Sequence, residues 1–466
     1  MHVVLVNTNR IKPPIAPIGL DYVAEALSAA GHHVAMLDLC WADDWDSAIG
    51  HCLNETDFDL IGVTLRNTDD CAFTSRQSFL GEFADMVNTI RRHTDAPIVL
   101  GGVGFSVVPE QVLTLCQADA GLCSDGEFSL VALAERIEAK APWHDVANLV
   151  WRDDETWHSN RSLSPPLTNL PPMSRSWVDN RRYFREGGQA GVETKRGCSG
   201  RCIYCADPIA KGEAIRTRPP RAVVDEMARL LEQGIDHFHT CDSEFNLPLQ
   251  HALEVCKEMI RRNLGDKIRW YAYCTPLPFS PELARLMRRA GCVGINFGVD
   301  NGDEEMLRRL RRGFTPNDIL NATSACQEAG IVVMLDLLLG SPGETRQSII
   351  TTVELMKRAA PERVGVPLGV RVYPGTELAD LVRHEDLEQG IVGEGDASEP
   401  QFFMEPAIAP FAFELLDRLI GNDERFFFFD PSRPDRNYNY NANQRLEEAI
   451  AKGYRGAYWD ILRRYE

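Results

Sequence analysis

The chain has 466 residues, 44% of them hydrophobic and 25% charged, an ordinary globular composition long enough for two or three domains. Its net charge of −19 argues against a broad nucleic-acid surface, which needs a basic footprint. Its 13 cysteines, odd in number and scattered, fit a reducing cytoplasm better than a disulfide framework; no apolar run reaches membrane-spanning length and no signal-peptide pattern opens the chain.

Residues 1–140 alternate short apolar runs, at 3–6, 34–37, 60–63, 98–100 and 120–123, with helical patterns such as Leu20, Val23, Ala24 and Leu27. That rhythm predicts an α/β domain of the doubly wound, Rossmann-like or flavodoxin-like kind, with ligands bound beyond the carboxyl ends of the strands. The residues at those ends are the candidates: Asn7 and Thr8; Leu65, Arg66 and Asn67; Gly101, Gly102 and Val103; Ser124, Gly126 and Glu127. Pro17 and Gly19 open the first helix, and Glu110 follows later. A nicotinamide domain fails on position, because no G-x-G-x-x-G follows the first strand. Residues 141–189 read as a linker: a hairpin around Asp153, Asp154 and Glu155, then a proline-rich extended run at 164–172.

From 190 to 385 a second β/α alternation runs, with strand candidates at 191–194, 237–241, 268–274, 292–298, 332–340 and 365–373. A helix is expected over 219–233, with Val223, Met227, Leu230 and Leu231 on one face. Six β/α units suit a partial (β/α)6 barrel, whose chemistry sits at the carboxyl ends of its strands. After the first strand stand Cys198, Cys202 and Cys205, spaced C-x3-C-x2-C. A [4Fe–4S] cluster normally takes four thiolates, so three leave one iron open to a small molecule. Zinc is the rival, but its structural sites close with four ligands and no second pair follows. Other strand ends carry Asp242, Ser243 and Glu244, then Asp300 and Asn301, then Gly340-Ser341-Pro342-Gly343-Glu344-Thr345 and Tyr373-Pro374-Gly375-Thr376. The basic run Arg308, Arg309, Arg311, Arg312 reads as a solvated helix face, with an anionic substrate as the other option. Cys241 and Cys274 end two strands, where packing is the commoner role of a thiol and contact with substrate the other. Residues 386–466 leave the barrel pattern and read as a mainly helical cap. Its four apolar residues 426–429 are too short for more than burial or a pocket wall, and the tyrosines of 437–441 are read as core before substrate contacts.

The cysteine loop, the 340–345 run and the 373–376 run, in this order, resemble the radical S-adenosylmethionine (SAM) enzymes. The amino-terminal set resembles the cobalamin-binding domain found in front of many of them. The resemblance implies SAM chelated at the open iron and cleaved to a 5′-deoxyadenosyl radical. It places Tyr204, Asp242, Ser243, Glu244, Asp300 and Asn301 near SAM, although Asp300 and Asn301 depart from the family's usual Glu-Ser. The Asp-x-His-x-x-Gly motif that supplies a histidine to cobalt is absent. Arg66 then becomes the candidate beneath the corrin, favouring low-coordinate cobalt; a salt bridge or a cofactor amide contact is its blander role. The implied activity is a C-methyltransferase that moves a methyl group from SAM through methylcobalamin to an unactivated carbon of a small-molecule, peptide or protein substrate. An electron donor such as flavodoxin or ferredoxin is expected, without nucleic acid or membrane. The alternatives are a cobalamin-dependent cyclase or rearrangement enzyme, a methylthiotransferase using further cysteines among Cys40, Cys52, Cys71, Cys116 and Cys123, and a non-catalytic sensor.

Overall fold

The computed structural model describes residues 1–154, 156–384 and 387–465. Glu155, in the expected hairpin turn, and the domain boundary expected at 385–386 lie outside the described residues.

The amino-terminal strands His2–Asn7, His33–Asp38, Leu60–Thr64, Ile98–Gly101 and Ala120–Leu122 form a parallel sheet. The first strand lies between the second and third. Val3 to Val6 are fully buried, because helices cover both faces of a parallel sheet and leave no polar side. The strand order reverses at the first strand, so the crevice beyond Asn7 and Thr64 is the topological switch point where such sheets bind ligands. The hairpin Leu149–Asp153 and Thr156–Ser159 adds antiparallel to Ala120–Leu122 and brings this sheet to seven strands.

The second sheet also has seven strands, all parallel. In spatial order they are Ala190–Val192, His237–Thr240, Arg269–Cys274, Cys292–Asp300, Val332–Leu337, Arg363–Val366 and Phe426–Phe428. Two features differ from the sequence reading. The sixth strand ends at Val366, because Pro367 has no N–H to donate to the ladder. Val370–Arg371 instead joins a small antiparallel sheet with Phe402–Phe403 and Ile391–Val392. The short phenylalanine run is a seventh strand: three residues suffice where a neighbour supplies the ladder. Pro220–Glu232 is helical and buries Val223, Val224, Met227 and Leu230. The tail contributes the helices Ala412–Ile420, Gln444–Ala451 and Tyr458–Arg464. Among the described residues no helix is long and apolar enough to cross a membrane.

A buried ion cluster ties the two sheets together. Arg175, fully buried in the proline-rich bridge, donates to Asp21 of the first helix at 2.7 Å and to Glu226 of the barrel helix at 2.7 Å. Arg218 pairs with the other Glu226 oxygen at 2.7 Å and donates to the Tyr22 hydroxyl at 2.8 Å. Burial raises the Asp21 carboxyl despite Arg175. At Glu226 burial also pushes upward, but Arg218 and Arg175 together bring the carboxyl below its usual range. Removing one partner of a desolvated pair strands the other charge, which costs about 3–5 kcal/mol. Arg175→Ala is expected to lower stability by about that amount, read as a shift of the thermal and urea transitions of the full chain; a shift of under about 1 kcal/mol would contradict this account.

Candidate active site

A chamber of about 900 Å³ lies between the carboxyl ends of the first sheet and the barrel. From the amino-terminal side it is lined by Asn7, Pro17, Gly19, Arg66, Asn67, Gly101, Gly102, Val103, Ser124, Gly126 and Glu127. These are the strand-end candidates, brought to one wall. Leu65 is core, Thr8 donates to the Thr64 carbonyl at 2.7 Å, and Glu110 is exposed on the first turn of Pro109–Leu115; none of the three lines the chamber. Asn7 is engaged by its own fold, donating to Asp38 at 2.8 Å and to Tyr183 at 3.0 Å. Glu127 is bound to Arg196 at 2.5 and 2.9 Å.

The wall fits a large polar cofactor. A Cβ at Gly19 would meet no atom within 4 Å, so the glycine keeps space open. The Ser124 hydroxyl is buried without a hydrogen-bond partner among the described residues, and a buried polar group calls for one. Gly102 has φ +99° and a Cβ there would strike the Leu65 carbonyl, so only glycine lets the turn bring its backbone to this wall. Arg66 follows the third strand and faces Tyr440 and Tyr458 of the tail; burial opposes its charge, but Tyr440, Tyr458 and Cys241 together more than offset that and hold the guanidinium above its ordinary value.

The cysteine loop covers the ends of the first, second and fourth barrel strands. Its following helix, Asp207–Lys211, borders the chamber through Asp207, Ala210 and Lys211. Cys198, Cys202 and Cys205 are all free thiols, and burial pushes each of them up. Cys198 and Cys202 both act electrostatically on the Cys205 thiol, and Cys198 on that of Cys202, so the three are neighbours; a cubane takes each thiolate on a different iron, and this donor set fits one. Arg312 departs from the solvated-face reading. Arg308 and Arg309 pair with Glu305, and Arg311 with Glu377. Arg312 instead turns inward, donates to Cys202 Sγ at 2.9 Å and pairs with Asp300 at 3.3 Å. Tyr204 donates to the same Asp300 carboxylate at 2.6 Å. Glu244 lies 3.8 Å from Arg312, and burial pushes its carboxyl up to about 7.

The remaining SAM-side candidates divide. Ser243 lines the chamber and donates to Asp207 at 2.5 Å. Asp242 borders it too, but accepts from the Thr194 N–H and hydroxyl at 2.8 and 2.6 Å, locking the first two strand ends. Asn301 is fully buried away from the chamber. It donates to Glu344 at 3.1 Å and accepts from the Thr352 hydroxyl at 2.7 Å, so its amide is consumed by the fold. Cys241 lines the chamber, whereas Cys274 is fully buried. The sequence reading did not single out His239, Tyr273, Asn296, Asp336 or Trp459, and it gave Tyr438 and Tyr440 to the core; all seven line the chamber. Their signal was weak: inward parity along predicted strands, and alternation of asparagine with tyrosine.

A cluster-type cysteine loop, whose following helix borders the chamber although its cysteines do not line it, and a cofactor-type sheet edge on the opposite wall define a radical SAM enzyme with a cobalamin-binding domain. The comparisons agree. The profile of the radical SAM superfamily matches residues 192–356, and that of the B12 binding domain matches residues 4–134. The tryptophan 2-C-methyltransferase of Streptomyces laurentii is 33% identical over 440 residues, covering 81% of this chain and 74% of its own. Two solved structures of the radical SAM methyltransferase TsrM from Kitasatospora setae also match. One, with tryptophan and a SAM analogue bound, has a TM-score of 0.90, 29% identity and coverage of 99% of this chain and 98% of that one. The other, with cobalamin and a [4Fe–4S] cluster bound, has a TM-score of 0.88, 28% identity and coverage of 99% and 97%. The chain belongs to the cobalamin-dependent radical SAM methyltransferases. It is a C-methyltransferase whose cofactors are a [4Fe–4S] cluster, SAM and cobalamin.

The Gly340–Thr345 run serves the fold in a testable way. Glu344 is 1% exposed, and burial pushes its carboxyl up to about 7 although Ser348 and Asn301 hydrogen-bond to it. A folded-state value above the unfolded one means that the native chain holds the proton more tightly. The stability this gives is complete below the unfolded value of about 4.3 and is lost as pH rises through about 7. Glu344→Gln removes that slope. Relative to wild type it is expected to gain about 2–3 kcal/mol between pH 5 and pH 8, measured by denaturant unfolding at the two pH values; a constant difference would refute it.

Proposed function

We propose that the substrate is tryptophan, or an indole of its shape, methylated at C2 of the ring, with SAM converted to S-adenosylhomocysteine and the displaced ring hydrogen leaving as a proton. The observation that carries this reading is the chamber between the two sheets, walled by Tyr273, Phe429, Tyr438 and Trp459. Aromatic walls fit a flat bicyclic guest, and the similar methyltransferases in the comparisons are named for tryptophan or hold it. When bound, the cluster anchors SAM and cobalamin relays its methyl group. The residues of this chain bind and orient. Cys198, Cys202 and Cys205 hold the cluster, with Arg312 donating to one of its thiolates. Ser243, Asp242, Glu244 and Asp300 border the SAM side. Gly19, Asn67, Gly101, Gly102, Val103, Ser124 and Gly126 cradle cobalamin, and Arg66 presents a cation to it. We place the protein in the cytoplasm, in keeping with its thirteen free thiols, with a flavodoxin or ferredoxin as electron donor.

Anaerobic reconstitution with cobalamin, SAM and tryptophan tests the function. A product heavier than tryptophan by one methylene, formed with S-adenosylhomocysteine and about four irons per chain, is expected. A product without the added carbon favours a cyclase or rearrangement enzyme, and about eight irons favours a methylthiotransferase. Arg66 is tested apart from turnover: Arg66→Ala, loaded with cobalamin, is expected to gain the visible and paramagnetic-resonance signature of water-ligated cobalt that the wild type lacks. Identical spectra would remove Arg66 from that role.

A further inference from the structure

The barrel end of the chamber carries a carboxylate without a counter-charge. Along Val332–Leu337, Val333, Leu335 and Leu337 pack into the core, whereas Met334 and Asp336, of opposite parity, line the chamber. Asp336 Oδ1 accepts from the Tyr438 hydroxyl at 2.7 Å. Among the described residues Oδ2 meets only the Asn296 amide, at 3.5 Å, too long to satisfy a carboxylate oxygen. Asn296 is 4% exposed, and its own Oδ1 has no hydrogen-bond partner among the described residues. Among the described residues no lysine or arginine forms an ion pair with Asp336; the groups acting on it are Tyr438, Asn296 and Asp300.

Gly365, on the adjoining strand, makes room for this arrangement, because a Cβ there would strike Asp336 Oδ1 and come within 2.9 Å of the Tyr438 hydroxyl. Aromatic rings lie beside it: Tyr438 packs against Phe429 with centroids 5.1 Å apart, the Asp336 charge acts on the Tyr273 hydroxyl, and Trp459 lines the same chamber. A half-buried carboxylate facing aromatic rings is left uncompensated unless a cation meets it. An ammonium group suits the vacancies. It has three donors for the two open acceptors, and its charge is attracted by ring faces.

We infer that Asp336 and Asn296, ringed by Tyr273, Phe429 and Tyr438, form an ammonium site that takes the protonated amine of an amino-acid substrate. The assignment of the occupant rests on the tryptophan reading; the recognition chemistry stands on the residues themselves. It makes Asp336 a specificity-determining residue for the amine.

The test is equilibrium binding to the loaded holoenzyme, by calorimetry, of L-tryptophan and of 3-indolepropionate, which lacks the amine. A charge-assisted contact in a desolvated site is worth about tenfold or more in affinity. The wild type is expected to favour tryptophan by at least about that factor. Asp336→Asn should bring the ratio close to one while indolepropionate binds as before, and Tyr438→Phe should narrow it. An unchanged ratio in Asp336→Asn, or an equal loss for both ligands, overturns the ammonium site. If the wild type binds neither indole, the tryptophan reading fails on its own. The site is then judged with 2-phenylethylamine against 2-phenylethanol: an amine preference erased by Asp336→Asn upholds it, and the absence of such a preference overturns it.

Discussion

The chamber depends on the ion cluster around Arg175. Its two walls belong to different sheets, each with its own core, so the width of the gap is fixed only by what joins them. Arg175, Arg218, Asp21 and Glu226 are all desolvated, and their charges cancel. Such a cluster is weak as a source of stability, because desolvation cancels most of the attraction. Its value here is geometric. Asp21 belongs to the first helix of one sheet and Glu226 to a helix of the other, and a forked guanidinium satisfies both in one arrangement. A second clamp lies nearer the cluster loop. Arg196, two residues before Cys198, holds Glu127 at the start of Gly126–Glu138, and Arg216 holds Asp125. The cofactor side and the cluster side are therefore joined through side chains next to both.

The alternation of buried strands and amphipathic helices was legible in the sequence because it follows from period alone. The cysteine loop stood out because three thiols at that spacing suit a cluster that leaves one iron open. Arg175 was not, since an arginine in a proline-rich bridge looks solvated until two acidic partners arrive from separate helices. Asp242 and Asn301 show the opposite limit. Their positions at strand ends pointed to SAM, yet their hydrogen-bonding capacity is largely spent on Thr194 in one case and on Glu344 and Thr352 in the other. Polarity at a strand end marks a residue as engaged; only the structure shows whether a ligand or the fold engages it.

Arg312 shows how one run divides. Its neighbours lie on a solvated face and pair locally, as helical spacing requires. The helix Glu304–Arg309 ends before Arg312, so the residue is free of that face. It reaches Cys202, Asp300 and the Gly298 carbonyl together. With Cys202 holding the cluster as proposed, a cation donating to that thiolate would lower the negative charge at the sulfur, one of the levers by which a protein sets a cluster's potential.

The Asn-Tyr-Asn-Tyr-Asn stretch of the tail completes the chamber by a division of labour. The asparagines fix the backbone: Asn437 accepts from the N–H of Asn439 at 2.8 Å, Asn439 from that of Asn441 at 3.0 Å, and Asn443 donates back to the Asn439 carbonyl at 2.8 Å. With the backbone held, the intervening tyrosines have defined directions. Tyr438 reaches Asp336 on the barrel strand, and Tyr440 reaches Arg66 on the sheet edge. One short segment thus touches the anion on one wall and the cation on the other, with Tyr273 near both. The two charges stay apart because hydroxyls partner each of them, and a chamber lined by opposite charges that do not neutralise each other keeps its field for what enters it.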